Sequence, residues 1–306
     1  MDDSELRPSA VRRLLRKFDM KPRKGLGQNF LVSEGLLQRI IAAAEIGEED
    51  VVLEIGAGLG ALTRGLAQRA GRVIALELDE RLIPLLQRVV APYSHVEIVQ
   101  GDILTIEPAD LIATPYKVVA NLPYYITSAI LRHLLEARRK PSLMVVTVQR
   151  EVAQRLMARP GEMSLLAVSV QFYGQPRIVA RAPPGAFYPS PRVNSTVVRI
   201  DLHDQLPTAV DDVGAFFDVV RAGFAQRRKQ LRNSLSQGLG LPVKEVVEAL
   251  HRCGLNEKQR AQELSVEQWA RLYRELHRCS GSTHPSRASD LQRSRDDAEP
   301  GRRMAD

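Results

Sequence analysis

Cysteine is nearly missing from this chain of 306 residues, which holds only Cys253 and Cys279. Two cysteines cannot build a disulfide framework, and no pair among His95, His133 and His251 has metal-ligand spacing, so no metal site is expected. So little cysteine suits a reducing cytoplasm. Long hydrophobic runs are also missing. No stretch approaches the roughly 18 apolar residues of a membrane span, and MDDSELRPSAVRR has no apolar core of the kind a secretory signal needs. There is no internal repeat. Acidic residues are the minority charge, 36 against 43 basic ones. The net charge of +7 points toward a polyanion without requiring one.

What is present reads as two domains and two flanks. Residues 1–20 form a basic extension, helical at most loosely. Over 21–204 short β-type runs alternate with helical stretches: Val51–Ile55, Val73–Leu78, Val96–Val99, Lys117–Ala120 and Leu143–Val148 are the runs. Such alternation predicts an α/β fold with a parallel sheet covered on both faces. Arg177–Ala180 and Val193–Ile200 have little helix between them and predict an antiparallel pair at the sheet edge. After a linker near Asp204–Asp212, helical periods resume over 212–279, with Trp269, Leu272, Tyr273 and Leu276 spaced as a core face. The tail, 280–306, has five basic and five acidic residues and few large apolar ones, so disorder is expected there.

The first strand runs into EIGAGLGALT. Gly56, Gly58 and Gly60 lie between a buried strand and a helix, where a turn can approach a ligand and the helix amides face it. The spacing is G-x-G-x-G, which alone is equally the mark of a tight turn. Glu77 ends the second strand, where doubly wound folds place an acid on a ribose diol. Asp102 ends the third and can accept from an adenine amino group, or simply cap its own turn. Three strand ends so furnished favour an adenosine-containing cofactor, NAD or S-adenosylmethionine.

The fourth strand ends in Asn121-Leu122-Pro123-Tyr124. A base-conjugated amine is a poor nucleophile because its lone pair is delocalised. The side-chain oxygen of Asn121 and the carbonyl of Leu122 can accept its two hydrogens and aim the lone pair at a sulfonium methyl. Pro123 stiffens the turn, and Tyr124 offers a ring to a base. This chemistry selects S-adenosylmethionine as cofactor.

With these pieces, together with KGLGQNFL (24–31), FYPSPRVNSTV (187–197), RRKQLRNSL (227–235) and RAQELSVEQWARL (260–272), the chain resembles the ribosomal RNA adenine N6-dimethyltransferase family over about residues 21–278. It is most similar to the bacterial small-subunit branch linked to kasugamycin sensitivity. The resemblance implies a Rossmann-like, seven-stranded, S-adenosylmethionine-dependent catalytic domain and a small helical RNA-binding domain. It implies cofactor contacts at Gln28, Asn29, Leu31, Gly56, Glu77, Asp102 and Asn121, to which the glycine turn adds Gly58. It also implies that Phe187 sandwiches the target base against Tyr124, the alternative being a buried loop anchor. The implied reaction is dimethylation of two adjacent adenines in the 3′-terminal hairpin of 16S ribosomal RNA within the small subunit. Arg227, Arg228, Lys229 and Arg232 are candidate phosphate contacts, or else a solvated basic face. A monomer is expected. Tyr125 and Ala57 depart from residues common in the family. Two other functions remain open: a large-subunit adenine methyltransferase, and an assembly factor for which catalysis is secondary.

Overall fold

The computed structural model describes residues 8–206, 210–226 and 228–280. The aliphatic runs become strands: β1 (Phe30–Leu31), β2 (Val51–Ile55), β3 (Arg72–Glu77), β4 (Val96–Gln100), β5 (Lys117–Asn121), β6 (Leu143–Gln149), β7 (Gly174–Ala182), β8 (Phe187–Tyr188) and β9 (Ser195–Leu202). Seven of them make one sheet in the order β4-β3-β2-β5-β6-β9-β7. The pairs from β4 to β6 are parallel, while β9 runs antiparallel to both β6 and β7. The anticipated antiparallel pair therefore exists, with β9 set inside and β7 at the edge. β1 and β8 form a separate two-stranded pair, with Leu31 opposite Phe187.

Helices cover the sheet because apolar side chains line one stripe of each. α1 (Pro8–Lys17) buries Ala10, Val11 and Leu15 and exposes Arg12, Arg13, Arg16 and Lys17. It is a seated helix and not the loose extension expected. Val11 and Leu15 join Phe30, Val32 and Leu82 in one apolar cluster. α2 (Glu34–Ala43) starts at Ser33, whose hydroxyl accepts from the Leu36 amide, and buries Leu36, Leu37, Ile40 and Ile41. α3 (Ala61–Ala67) follows the glycine turn. The strands at the centre bury Val52, Leu53, Ile74, Val118, Val119, Val145 and Val146 completely. This α/β core is the doubly wound architecture the alternation predicts. From β2 the chain steps outward to β3 and β4, then returns to place β5 on β2's other side. A crevice opens at that reversal, beyond the carboxyl ends of β2 and β5.

The chain divides into two compact units. One runs to Ala209 and includes Ala261–Glu267; the other comprises Val210–Arg260 and the chain from Gln268 onward. The second unit is helical: Val213–Phe224, Leu231–Leu239, Val243–Arg252 and most of Val266–Ser280. Its core holds Trp269, Leu272, Tyr273 and Leu276, all buried as their spacing predicts. A methyl group on Gly223 would come within 2.3 Å of the Trp269 ring, so a larger residue cannot sit there. Among the described residues no helix is long and apolar enough to cross a membrane. The tail expected to be disordered lies outside the described residues from 281 on.

Candidate active site

The crevice holds a cavity of about 460 Å³, within the range of small-molecule sites. Its floor is the glycine turn. Gly56, Gly58 and Gly60 have φ of +76°, +59° and +79°, a region that strains any side-chain-bearing residue. The amides of Gly56 and Ala57 donate to the Leu76 carbonyl at 2.9 and 3.1 Å, holding the turn against β3. A methyl on Gly58 would stand 3.2 Å from the Phe30 ring, and one on Gly60 2.9 Å from Leu86 and Val89.

Glu77 closes β3 as a buried acid, with both oxygens on backbone. Oε2 accepts from the Gly58 amide at 2.7 Å and Oε1 from the Asp79 amide at 2.8 Å. Burial raises its pKa and the two amides oppose the rise. Each oxygen keeps a second lone pair for a ligand hydroxyl. Asp102 lines the cavity too, while its Oδ1 accepts from the Leu104 amide at 2.9 Å. Its turn-forming role is thus real, and the ligand role would fall to what remains of the carboxylate.

Sequence reasoning gave Glu54 no role. It lines the cavity at 1% exposure, and its Oε2 has no hydrogen-bond partner among the described residues. Burial, with the charge of Glu77 adding, lifts its pKa to about 8. The available signal was an acid in the otherwise aliphatic strand VVLEI.

Residues 27–31 form a strap along the cavity, and their side chains serve the protein. Gln28 donates through Nε2 to Asp79 Oδ2 at 2.8 Å and accepts at Oε1 from the Arg23 amide at 2.7 Å. Its amide is therefore engaged at both ends, and the residue still lines the cavity. Asp79, 1% exposed, also takes two bonds from Arg81, at 2.9 and 2.6 Å, and the Arg81 guanidinium holds its carboxyl down at about 2. Asn29 donates to the Gly27 carbonyl at 2.9 Å, and its own carbonyl accepts from Asn121 Nδ2 at 2.8 Å. Leu31 is buried in the cavity wall.

Asn121 ends β5 opposite the glycine turn: a methyl on Gly56 would lie 3.7 Å from the Asn121 carbonyl. With Nδ2 committed to Asn29, the oxygen is the part of its side chain left without a hydrogen-bond partner among the described residues. Leu122 is buried, and its amide donates to the Thr147 carbonyl at 3.2 Å. The Pro123 carbonyl accepts from Thr127 Oγ1 at 2.9 Å, which fixes the turn. Tyr124 is half-buried, its hydroxyl 2.5 Å from Ser195 Oγ, and burial raises its pKa. The ring that lines the cavity is its neighbour Tyr125, 58% exposed and lying against Gly27.

Phe187 requires a correction. It is 3% exposed and packs in the core cluster with Leu31, Ala186 and Val197. Its ring is covered and does not line the cavity, so the loop-anchor alternative describes its position. In the helical unit, Arg227 lies outside the described residues. Arg228 and Lys229 are exposed, with Lys229 Nζ 3.4 Å from Gln237 Oε1. Arg232 is half-buried and paired with Glu257 at 2.8 Å, so a phosphate there would have to compete with a carboxylate. Among the described residues no three His, Cys, Asp or Glu side chains converge as metal ligands.

Comparison with known proteins adds to this geometry. The family profile for ribosomal RNA adenine dimethylase matches residues 19–278. A ribosomal RNA small subunit methyltransferase A of Dehalococcoides mccartyi strain 195 is 46% identical over 264 residues, covering 86% of this chain and 91% of the relative. One of the same name from Moorella thermoacetica is 42% identical, covering 90% and 99%. Among solved structures, the 23S rRNA methyltransferase ErmE is similar at TM-score 0.66 and 30% identity, covering 81% of this chain and 100% of that one. A dimethyladenosine transferase of Plasmodium falciparum shares the fold at TM-score 0.72 with 24% identity, covering 81% and 98%.

Proposed function

This chain belongs to the ribosomal RNA adenine dimethylase family, and from that premise we propose that it dimethylates N6 of two adjacent adenines in the 3′-terminal hairpin of 16S RNA, acting on the small ribosomal subunit and contributing to its biogenesis. It is an S-adenosylmethionine-dependent ribosomal RNA adenine dimethyltransferase. The small-subunit reading is favoured over the large-subunit one because relatives of the first kind reach 46% identity and the large-subunit enzyme 30%. The observation that carries the chemistry is the Asn121 side chain, held through Nδ2 by the strap with its oxygen left as an acceptor beside the glycine turn.

The site suits a bulky zwitterion bearing a nucleoside. The three glycines line the cavity without side chains and leave room for it, Glu77 stands ready for a ribose diol, and Glu54 offers a buried oxygen, Oε2, with no partner among the described residues. When bound, the cofactor supplies an electrophilic methyl group, so neither a metal nor a strong base is needed from the chain. The protein's part is positioning, which can supply roughly 7–11 kcal/mol in favourable cases. Asn121 Oδ1 and the Leu122 carbonyl accept the two N–H hydrogens of the adenine amine. That fixes the amine's plane and directs its lone pair along the transfer line. Tyr124, braced by Ser195 and set beside the cofactor cavity without lining it, is the residue assigned to stack on the base. The amine's proton leaves to solvent after transfer. The enzyme works as a cytoplasmic monomer on an adenine that leaves its stack to enter the site.

The test uses isotopically labelled S-adenosylmethionine with unmethylated small subunits and, separately, large subunits, followed by digestion and mapping of dimethyladenosine. Label on two adjacent small-subunit adenines is expected. Label confined to the large subunit overturns the substrate assignment. If Glu77→Ala abolishes transfer yet supports subunit maturation, the assembly role is separate from catalysis.

A further inference from the structure

We propose that α1 is an RNA clamp: its exposed cationic ridge grips the phosphates of the strand whose adenine enters the cavity. The inference rests on the reading above and extends it to a surface outside the helical unit. Residues 8–24 contain seven basic residues against a single acid, Asp19. On α1 the basic side chains fall at positions 12, 13, 16 and 17, one face of a helix whose other face is docked. Val11 and Leu15 pack with Phe30, Val32 and Leu82, and the Arg12 guanidinium lies 5.7 Å from the Tyr188 ring centroid. The charges are therefore fixed in place before any ligand arrives, which lowers the ordering cost of binding. Arg13, Arg16 and Lys17 form no ion pair among the described residues. Arg13 and Lys17 also line the cavity, as does the exposed ring of Tyr125. A rim that carries unpaired cations and an open aromatic ring matches a single RNA strand, with its phosphates on the helix and a base at the ring.

The experiment compares the wild type with the triple variant Arg13→Gln, Arg16→Gln, Lys17→Gln, using a hairpin RNA with two adjacent loop adenines. RNA affinity is measured as a function of salt, and S-adenosylmethionine affinity by calorimetry. Each phosphate contact contributes about 0.7–0.9 to the slope of log affinity against log salt. The variant should therefore lose about 2–3 from that slope and bind RNA at least tenfold more weakly at low salt, with cofactor held at saturation in every measurement. The charge-preserving variant Arg13→Lys, Arg16→Lys should retain the wild-type slope. An unchanged slope in the triple variant overturns the clamp. So does a loss confined to cofactor affinity, which would make α1 a cofactor cover instead. If the wild type binds the hairpin with α1-dependent slope but methylates only large subunits, the clamp stands and the substrate assignment falls.

Discussion

Replacing Asn121 by alanine removes two interactions at once, and their sizes differ enough to be read separately. The first is the 2.8 Å bond from Nδ2 to the Asn29 carbonyl, which fastens the strap. A neutral hydrogen bond of this kind is worth about 0.5–1.5 kcal/mol net. Its loss should weaken S-adenosylmethionine binding by roughly two- to tenfold, since the strap borders the cavity. The second is the acceptor for one amine hydrogen. In a closed site an unpaired N–H costs about 1–3 kcal/mol, and the aim of the lone pair is lost with it, so kcat should fall by about 100-fold. RNA affinity should stay within threefold of the wild type because Asn121 contributes no charge to phosphate binding. Asn121→Asp separates the two jobs. It keeps an acceptor for the amine but sets a carboxylate against the Asn29 carbonyl. Its kcat should exceed that of the alanine variant, while its cofactor affinity is no better. Single-turnover methyl transfer, calorimetry with the cofactor and filter binding of RNA measure the three quantities. An alanine variant that keeps kcat within threefold, or loses RNA affinity as steeply as kcat, would refute the positioning role.

Other expectations follow from the same geometry. Gly60→Ala forces a methyl to within 2.9 Å of Leu86 and Val89 at φ +79°. Left-handed strain of about 1–2 kcal/mol plus overpacking of about 1–3 kcal/mol should lower Tm by several degrees, and an unchanged Tm would mean the turn relaxes. Glu54 carries a folded-state pKa of about 8 against an ordinary 4.5. The stability it contributes is full below about 4.5 and is lost as pH rises toward 8. Glu54→Gln should therefore match the wild type near pH 5 and exceed it at pH 8, by an amount on the order of a few kcal/mol, with parallel denaturation curves at both pH values counting against a buried neutral acid. Asp79 has the opposite sign. With its pKa held near 2, its contribution is present above about 3.8 and disappears as pH falls toward 2. Asp79→Ala should cost roughly 1.5–3 kcal/mol and speed trypsin cleavage at Arg23, a protection that should persist if the strap is held elsewhere. Tyr124→Ala should reduce kcat by an amount matching about 1–3 kcal/mol of stacking and leave cofactor affinity alone, whereas Tyr124→Phe, which loses only the Ser195 bond, should keep most of the rate.

The parts of this fold legible in sequence are those governed by neighbouring residues. β2 through β6 announce themselves as aliphatic runs, and Gly56, Gly58 and Gly60 mark their turn because glycine adopts the positive φ found at all three without a Cβ penalty. Trp269, Leu272, Tyr273 and Leu276 share a helical period and all are buried. α1 was harder to see because its local signal is dominated by charge. Only Ala10, Val11 and Leu15 bury, and what they bury against lies in β1 and beyond. The two-residue strands β1 and β8 are too short to carry any periodicity, and their pairing spans Leu31 to Phe187. That pairing puts the Phe187 ring into the core, a fate its motif F-x-P-x-P does not disclose. Arg232 reads as a free cation until Glu257, distant in sequence, folds onto it.

The strap shows the limit most sharply. Its motif marks Gln28 and Asn29 as cofactor contacts, and both line the cavity, but it does not disclose the hydrogen bonds that reach 51 residues along the chain to Asp79 and 92 residues to Asn121. A sequence motif records that a residue matters and is silent on which partner makes it matter. Here the partners impose a coupling. The bond that fastens Asn29 is made by the same amide whose oxygen is the proposed acceptor for the substrate amine. Breaking it to move the strap also frees that amide to rotate. On the proposed role of Asn121, a strap opened at this bond is one whose acceptor is no longer aimed, which assigns methyl transfer to the state in which the strap is fastened.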